Sequence, residues 1–376
     1  MLNIELERLD THFSPKSGYC YVHARAAQLP DGRMVMTMQK LRLSGSDIFS
    51  GLEMTIRNPQ GEWSPITPCP TLSRRPWENG AEIAMCDATP FFHNATQKLL
   101  LTGHTVIYKN DEIMPGLRPR HTSWSVFDAE NNTWTPYRLL DMPDGFSNCG
   151  AGCSQIHENP DGTLLIPAYV RMPSRKDAAF VMRCSFDGND LKLLEYGNLL
   201  KSDTARGFGE PSIVRYQDVF YLCIRHDDTS YISISKDGLH YSEPIEWLFD
   251  DGSPLGSYNT QQHWLTLGRK LYLVYTRRAG FNDHIFRHRA PLFIAEVDTE
   301  RLHVIRETEQ IAVPARGARL GNFCCAMLSR KEGIIVAAEW MQTTGPDHFN
   351  FRRCMEYGSD NSIFIAHLHS LLDFSF

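Results

Sequence analysis

Short apolar or alternating runs recur along the whole chain between clusters of Gly, Pro, Asn and Asp, and no long i, i+3, i+4, i+7 apolar stretch interrupts them. A period of two marks half-buried strands, whereas a period of 3.6 would mark helices. The pattern predicts an all-β fold. The runs also group into sets of up to four that repeat in the same internal order, which is the mark of a β-propeller with one set per blade. The first set covers 21–29, a Pro30-Asp31-Gly32 turn, 33–43 and 52–57, and closes on Trp63. The second covers 82–108 and 121–127 and closes on Trp134; the third covers 152–170 and 179–185. The fourth, 210–216, 219–225, 231–235 and 241 onward, is the clearest, and the fifth covers 262–267, 270–275, 291–297 and 303–306.

The sixth set, 322–328, 333–340 and 362–368, lacks a fourth strand. Residues 3–9 alternate suitably to supply it, and a strand from the opposite terminus removes a free sheet edge. The expectation is a six-bladed β-propeller forming a single domain over 1–376, its last blade closed by the N-terminal strand; a seven-bladed ring is the alternative. Dividing 376 residues by six gives about 63 per blade, against roughly 40–50 in WD40 or kelch repeats, and the excess lies in loops that can wall a pocket.

Composition narrows the function. A chain that is 42% hydrophobic and 11% aromatic has material for a large core. Its net charge of −6 argues against a nucleic-acid or anionic-membrane partner, which selects a strongly basic face, and leaves room for a local basic pocket. Charged residues stand among Met1-Leu2-Asn3-Ile4-Glu5-Leu6-Glu7-Arg8 where a signal peptide needs an apolar run, so the chain reads as cytoplasmic. Ten cysteines occur singly or as the neighbours Cys324 and Cys325, without a CxxC pair, and read as reduced core thiols. No HExxH spacing occurs, so neither a metal nor another cofactor is implied.

In a propeller, the starts of first strands and the ends of second strands face the central pocket. Those positions hold His23, Arg25, Asp87, Gln155, His157, Glu210 and Arg225, and then Gln262, His263, Arg277 and the dense run Asp283, His284, Arg287, His288, Arg289. The last set adds Arg319, Asn322, Glu339 and Gln342. Because alternate strand residues share a face, His23 and Arg25 should line the pocket together or not at all. Trp77, Trp264 and Trp340 are candidate platforms for sugar rings, whereas Trp63 and Trp134 read as packing.

Gly209-Glu210-Pro211-Ser212-Ile213-Val214, followed one strand later by Phe220-Tyr221-Leu222-Cys223-Ile224-Arg225, resembles the sialidase stretch that carries a pocket glutamate and a substrate-carboxylate arginine. The Asp47-Ile48-Phe49 loop, leading to Gly61-Glu62-Trp63-Ser64, is similar to the segment holding that family's general-acid aspartate. Arg287 or Arg289, just before Pro291, falls where a further arginine of its triad would come. Ser235-Lys236-Asp237-Gly238 resembles a shortened Asp box, and Ser185-Phe186-Asp187-Gly188 is a weaker copy. Two departures stand out. The family's Arg-Ile-Pro motif reads His23-Ala24-Arg25-Ala26, and Gly321-Asn322-Phe323-Cys324 has no nucleophilic tyrosine.

The resemblance implies a carbohydrate-active enzyme, a glycoside hydrolase for a small anionic glycoside or oligosaccharide. In that reading Asp47 is the general acid, Glu210 the base or nucleophile, and His23 a further catalytic group. Arg225, Arg287 and Arg289 would hold an anionic group, with Arg25, His263, His284, Gln155, Asn322 and Glu339 as further substrate contacts. Tyr258 and Tyr357 are the tyrosines available to replace the missing nucleophile. The partner is then a small carbohydrate, and a homo-oligomer is compatible with it. One rival is a lyase eliminating at a uronic acid through histidine or tyrosine chemistry, and another is a propeller that binds a glycan without turnover.

Overall fold

Turns such as Pro30-Asp31-Gly32, where Gly32 takes φ 88° and Leu29 donates its N–H to the Arg33 carbonyl at 2.8 Å, are too short to join anything but antiparallel neighbours. The computed structural model, which describes residues 2–43, 47–116, 119–344 and 350–370, accordingly holds six antiparallel sheets. Sheet one contains Tyr19–Gln28, Met34–Arg42, Phe49–Arg57 and Thr67–Pro68. Sheet two is built on Glu82–His93, Lys98–Lys109 and Thr122–Asp128, and sheet three on Cys149–Gly150, Leu164–Arg171, Asp177–Phe186 and Leu191–Tyr196. Sheet four contains Gly209–Tyr216, Val219–Arg225, Ser230–Ser235 and Ile245–Glu246. Sheet five contains His263–Leu267, Lys270–Tyr275, Leu292–Asp298 and His303–Val304. Cys324–Met327, Glu332–Ala338 and Ile363–Ser370 belong to sheet six, together with Leu2–Leu9 from the other end of the chain.

The inner strands touch one another in chain order, and Tyr19–Gln28 packs against both Glu82–His93 and Glu332–Ala338, giving an all-β propeller arrangement. Alternate residues of each strand therefore pack between sheets. Trp124, Phe180 and Met182 fill the space between sheets two and three; Trp247 and Trp264 fill that between sheets four and five. All ten cysteines are free and buried. Among the described residues no helix is long and apolar enough to cross a membrane.

The N-terminal strand completes sheet six in the register Leu2↔Ser370 to Leu9↔Ile363. Polar contacts reinforce this seam. The Trp63 indole donates to Glu7 at 2.6 Å, and His367 lies between Glu332 at 3.1 Å and Glu7 at 3.3 Å, joining all three outer strands of the sheet. Hydrogen bonding to Glu7, and then to Glu332, raises His367 above its ordinary 6.5, while the same bond lowers Glu7 below 4.5.

The signs define a window. A raised histidine contributes stability that is complete below about pH 6.5 and fades as pH rises through its folded value. A lowered glutamate contributes above about pH 4.5 and fades in acid. His367→Gln should therefore lower the melting temperature more at pH 6 than at pH 8.5, by about 1–2 °C in difference. Thermal melts of both proteins at the two pH values check this, and an equal loss at both contradicts it.

Candidate functional site

The inner strands share one local irregularity. Val22 pairs with Gln39 but Arg25 with Thr37, so three steps on one strand oppose two on its partner. The same β-bulge recurs between Cys86↔His104 and Thr89↔Thr102, and between Gly209↔Arg225 and Ser212↔Cys223. In each case the first residue of the bulge adopts a left-handed backbone: His23 at φ 58°, Asp87 at 51° and Glu210 at 40°. Cys153 (62°) and Asn322 (67°) repeat that conformation at the matching places in sheets three and six. An L-residue held there costs about 1–2 kcal/mol. The return is direction, because the bulge re-aims His23, Asp87 and Glu210 so that all three line one central cavity.

That cavity has a volume of about 410 Å³ and receives side chains from every sheet or the loops beside it. One side is cationic. Arg225 pairs with Glu210 at 2.5 Å, and Arg206 forks onto Asp227 with both bonds at 2.7 Å. Arg287 and Arg289 come from the loop between the second and third strands of sheet five, and Arg319 lies with its guanidinium 3.3 Å from the Trp340 ring centre. None of these last three forms an ion pair among the described residues, and Nε of both Arg289 and Arg319 is buried without a hydrogen-bond partner. Burial, followed by repulsion from neighbouring guanidiniums, pushes Arg289 well below its ordinary value. Burial also lowers Arg319, with Asp47 opposing. A bound anion would relieve both. Burial alone would raise Glu210, but the Arg225 guanidinium holds it below its ordinary value, while its second oxygen has no partner.

The floor is organised by Asp87. Its Oδ1 lies 3.2 Å from Arg25, 3.3 Å from His23 Nδ1 and 3.0 Å from Cys153 Sγ; its Oδ2 is 3.5 Å from His104. Burial would raise its carboxyl, but His23 and Arg25 hold it low, so it stays ionised. Burial pushes both His23 and His104 down to about 4. Asn322 connects floor and cationic side: its amide nitrogen donates to His23 Nε2 at 2.9 Å and to Asp87 at 3.2 Å, and its oxygen accepts from Arg289 at 3.3 Å. Nε2 of His23 faces the Asn322 amide, while Nδ1 lies 3.3 Å from Asp87 without a hydrogen-bond partner.

Of the sequence candidates, Asp47, Glu210, His23, Arg225, Arg287, Arg289 and Asn322 line the cavity, as do Asp87, Arg319, Trp340 and Gln342. Five others do not. Arg25 is completely buried against Asp87, Cys153 and the Asn322 carbonyl. The bulge at His23 breaks the alternation that would have put both residues on one face, so His23 lines the cavity and Arg25 lies beneath it. His263 is held by Ser212 at 2.9 Å and the Phe323 carbonyl at 3.0 Å. Gln155 is occupied with Trp264 and Cys325 backbone. Glu339 accepts the N–H groups of Asp360 and Ser362, and His284 packs on Tyr357 with ring centres 4.5 Å apart. Trp264 is core, Trp77 packs on His121, and Tyr258 donates to His288. The Ser235–Gly238 turn lies outside the cavity, and residues 44–46, ahead of Asp47, lie outside the described residues.

The sequence reading missed His104, Arg120, Tyr169 and Arg206, which also line the cavity. Tyr169 sits near the end of the second strand of sheet three, where the search rule itself pointed, whereas His104 lies in the middle of Lys98–Lys109. Glycines make room for these side chains. A Cβ on Gly150 would stand 2.7 Å from both Arg120 and His104, one on Gly152 2.0 Å from His104, and one on Gly321 2.5 Å from Arg289.

No protein-family model matches the chain, and no curated protein does. Solved structures do. A protein of unknown function from Dyadobacter fermentans superposes with a TM-score of 0.62 at 12% identity, covering 94% of this chain and 95% of that one. A Hadza microbial sialidase gives 0.65 at 12% identity over 97% of this chain and 68% of its own. Trypanosoma rangeli sialidase in complex with sialic acid gives 0.62 at 13% over 97% and 59%, so the chain spans well under two thirds of that enzyme. In fold, then, the chain is a diverged sialidase-like β-propeller. Identities this low show the fold alone.

Asp87→Asn would leave Arg25 buried without a counter-charge, a loss of about 3–5 kcal/mol. Urea unfolding should show a midpoint shift of that size, whereas Asp47→Asn, at an exposed position, should shift it by less than about 0.5 kcal/mol.

Proposed function

We propose that this chain is a sialidase-like glycoside hydrolase, a six-bladed propeller in a single domain with one blade per sheet, acting on a small glycoside that carries a negative charge. The observation that carries the reading is the convergence of Asp47, Glu210 and the guanidiniums of Arg225, Arg287, Arg289 and Arg319 on one cavity. Sialidases among the structural neighbours support it.

Hydrolysis needs a proton donor to the leaving oxygen and a second group facing the oxocarbenium-like centre. Asp47, exposed at the cavity, can exchange protons with water and serve as the acid. Glu210, kept ionised by Arg225 and with one oxygen unpartnered, serves as base or nucleophile. The unpaired arginines take the anionic group in forked hydrogen bonds. Phe323 is buried core and supplies no nucleophile. Glu210→Gln and Asp47→Asn should each lower kcat by about 10²–10⁴ on fluorogenic glycosides of sialic acid or a uronic acid. Full activity in both variants would sink the assignment.

One observation favours elimination at a uronic acid instead. His23 is neutral and lines the cavity with Nδ1 3.3 Å from Asp87 and Nε2 against Asn322, so a histidine base would stand close to Arg289, a guanidinium able to neutralise a carboxylate. The ultraviolet absorbance of an unsaturated uronate product separates the two reactions. Tight binding of an intact sugar without product would instead identify a glycan-binding propeller.

A further inference from the structure

Asn259 gathers the cationic side of the cavity. Its side-chain oxygen lies 2.6 Å from Arg225, 3.4 Å from Arg287, 3.5 Å from Arg206 and 3.5 Å from Arg289, and its backbone carbonyl accepts a further bond from Arg289. Four guanidiniums this close repel one another, so a shared acceptor is needed to hold them. A carboxylate would hold them more strongly. It would also cancel charge. Arg225 and Arg206 already have Glu210 and Asp227, while Arg287 and Arg289 have no carboxylate partner among the described residues.

We propose that Asn259 is the positioning residue that sets the charge of this site: a neutral acceptor that fixes the arginines in place while leaving their positive charge for an oxyanion on the substrate. The substrate class rests on the anionic-sugar reading above; the preference for an oxyanion rests on the arginines themselves. The backbone at Asn259 supports the choice of residue, since its φ of 50° is one that Asn, Asp and Gly adopt and most other residues avoid. It also makes two substitutions structurally mild.

Asn259→Asp keeps the shape and strengthens every hydrogen bond but adds a negative charge. Asn259→Gly keeps the backbone carbonyl and removes the shared oxygen. Inorganic sulfate, titrated calorimetrically into the full chain, reads the site without any assumption about the sugar. The expected order is wild type tightest, the Gly variant about threefold weaker and the Asp variant at least about tenfold weaker, because added charge acts at short range in a partly dry site. A merely structural role gives the opposite order, with the isosteric Asp variant nearest to wild type. Any order in which the Asp variant is not the weakest, or a wild type that binds no sulfate, overturns the proposal. Should the Asp variant fail to fold in a thermal melt, unchanged affinity in the Gly variant overturns it and weakened affinity supports it. Turnover is scored separately: no cleavage of any glycoside refutes the hydrolase reading and leaves the sulfate order standing.

Discussion

One extra residue in an inner strand, held at positive φ, is the constraint on which the rest of this site depends. Ordinary strand geometry alternates faces, so a residue that points to the centre is followed by one that points into the packed layer. The bulges at His23, Asp87 and Glu210 suspend that rule at the one depth where polar side chains must turn inward. Below them the strands resume alternation and pack normally. The strain is local and repeated, and the many apolar residues between the sheets are what hold it in place.

The polar groups so directed are arranged by charge. Asp87 lies under the floor as the counter-charge to the wholly buried Arg25, and its two histidine neighbours remain neutral. Across Asn322 the sign reverses, and guanidiniums outnumber carboxylates. A neutral amide at each junction, Asn322 on the floor side and Asn259 among the arginines, separates the two regions without cancelling either. Sugar chemistry suits such a divided cavity, since a charged substituent and a reacting centre sit a few ångströms apart on the same ring.

Much of the architecture was legible in the alternation of residues. The strand sets, the unmatched last set and the N-terminal strand that completes it all follow from period-two patterns and turn residues, which are local signals. The site was legible only where a functional residue coincides with such a landmark. Glu210 and Arg225 frame a clear hairpin, and Arg287 and Arg289 stand in a dense polar run. Arg25 shows the limit: it occupies an inner strand beside His23, and only the bulge, which leaves no mark in the pattern, assigns the two to different environments. His263, Gln155 and Glu339 face away from the cavity for a related reason, because each is held by backbone groups distant in the chain. Asn259 matters through neighbours distant in the chain, and nothing beside it signals this.

The seam between Leu2–Leu9 and Ile363–Ser370 also orders events during synthesis. Leu2–Leu9 is made long before its partner Ile363–Ser370 and waits unpaired while the sheets between them are synthesised. Until then sheet six consists only of the hairpin Cys324–Met327 and Glu332–Ala338. A chain halted short of residue 363 would keep an orphaned strand with an open edge and would be a target for chaperones or proteases, so the same contact that completes sheet six also reports that residues 363–370 have been made.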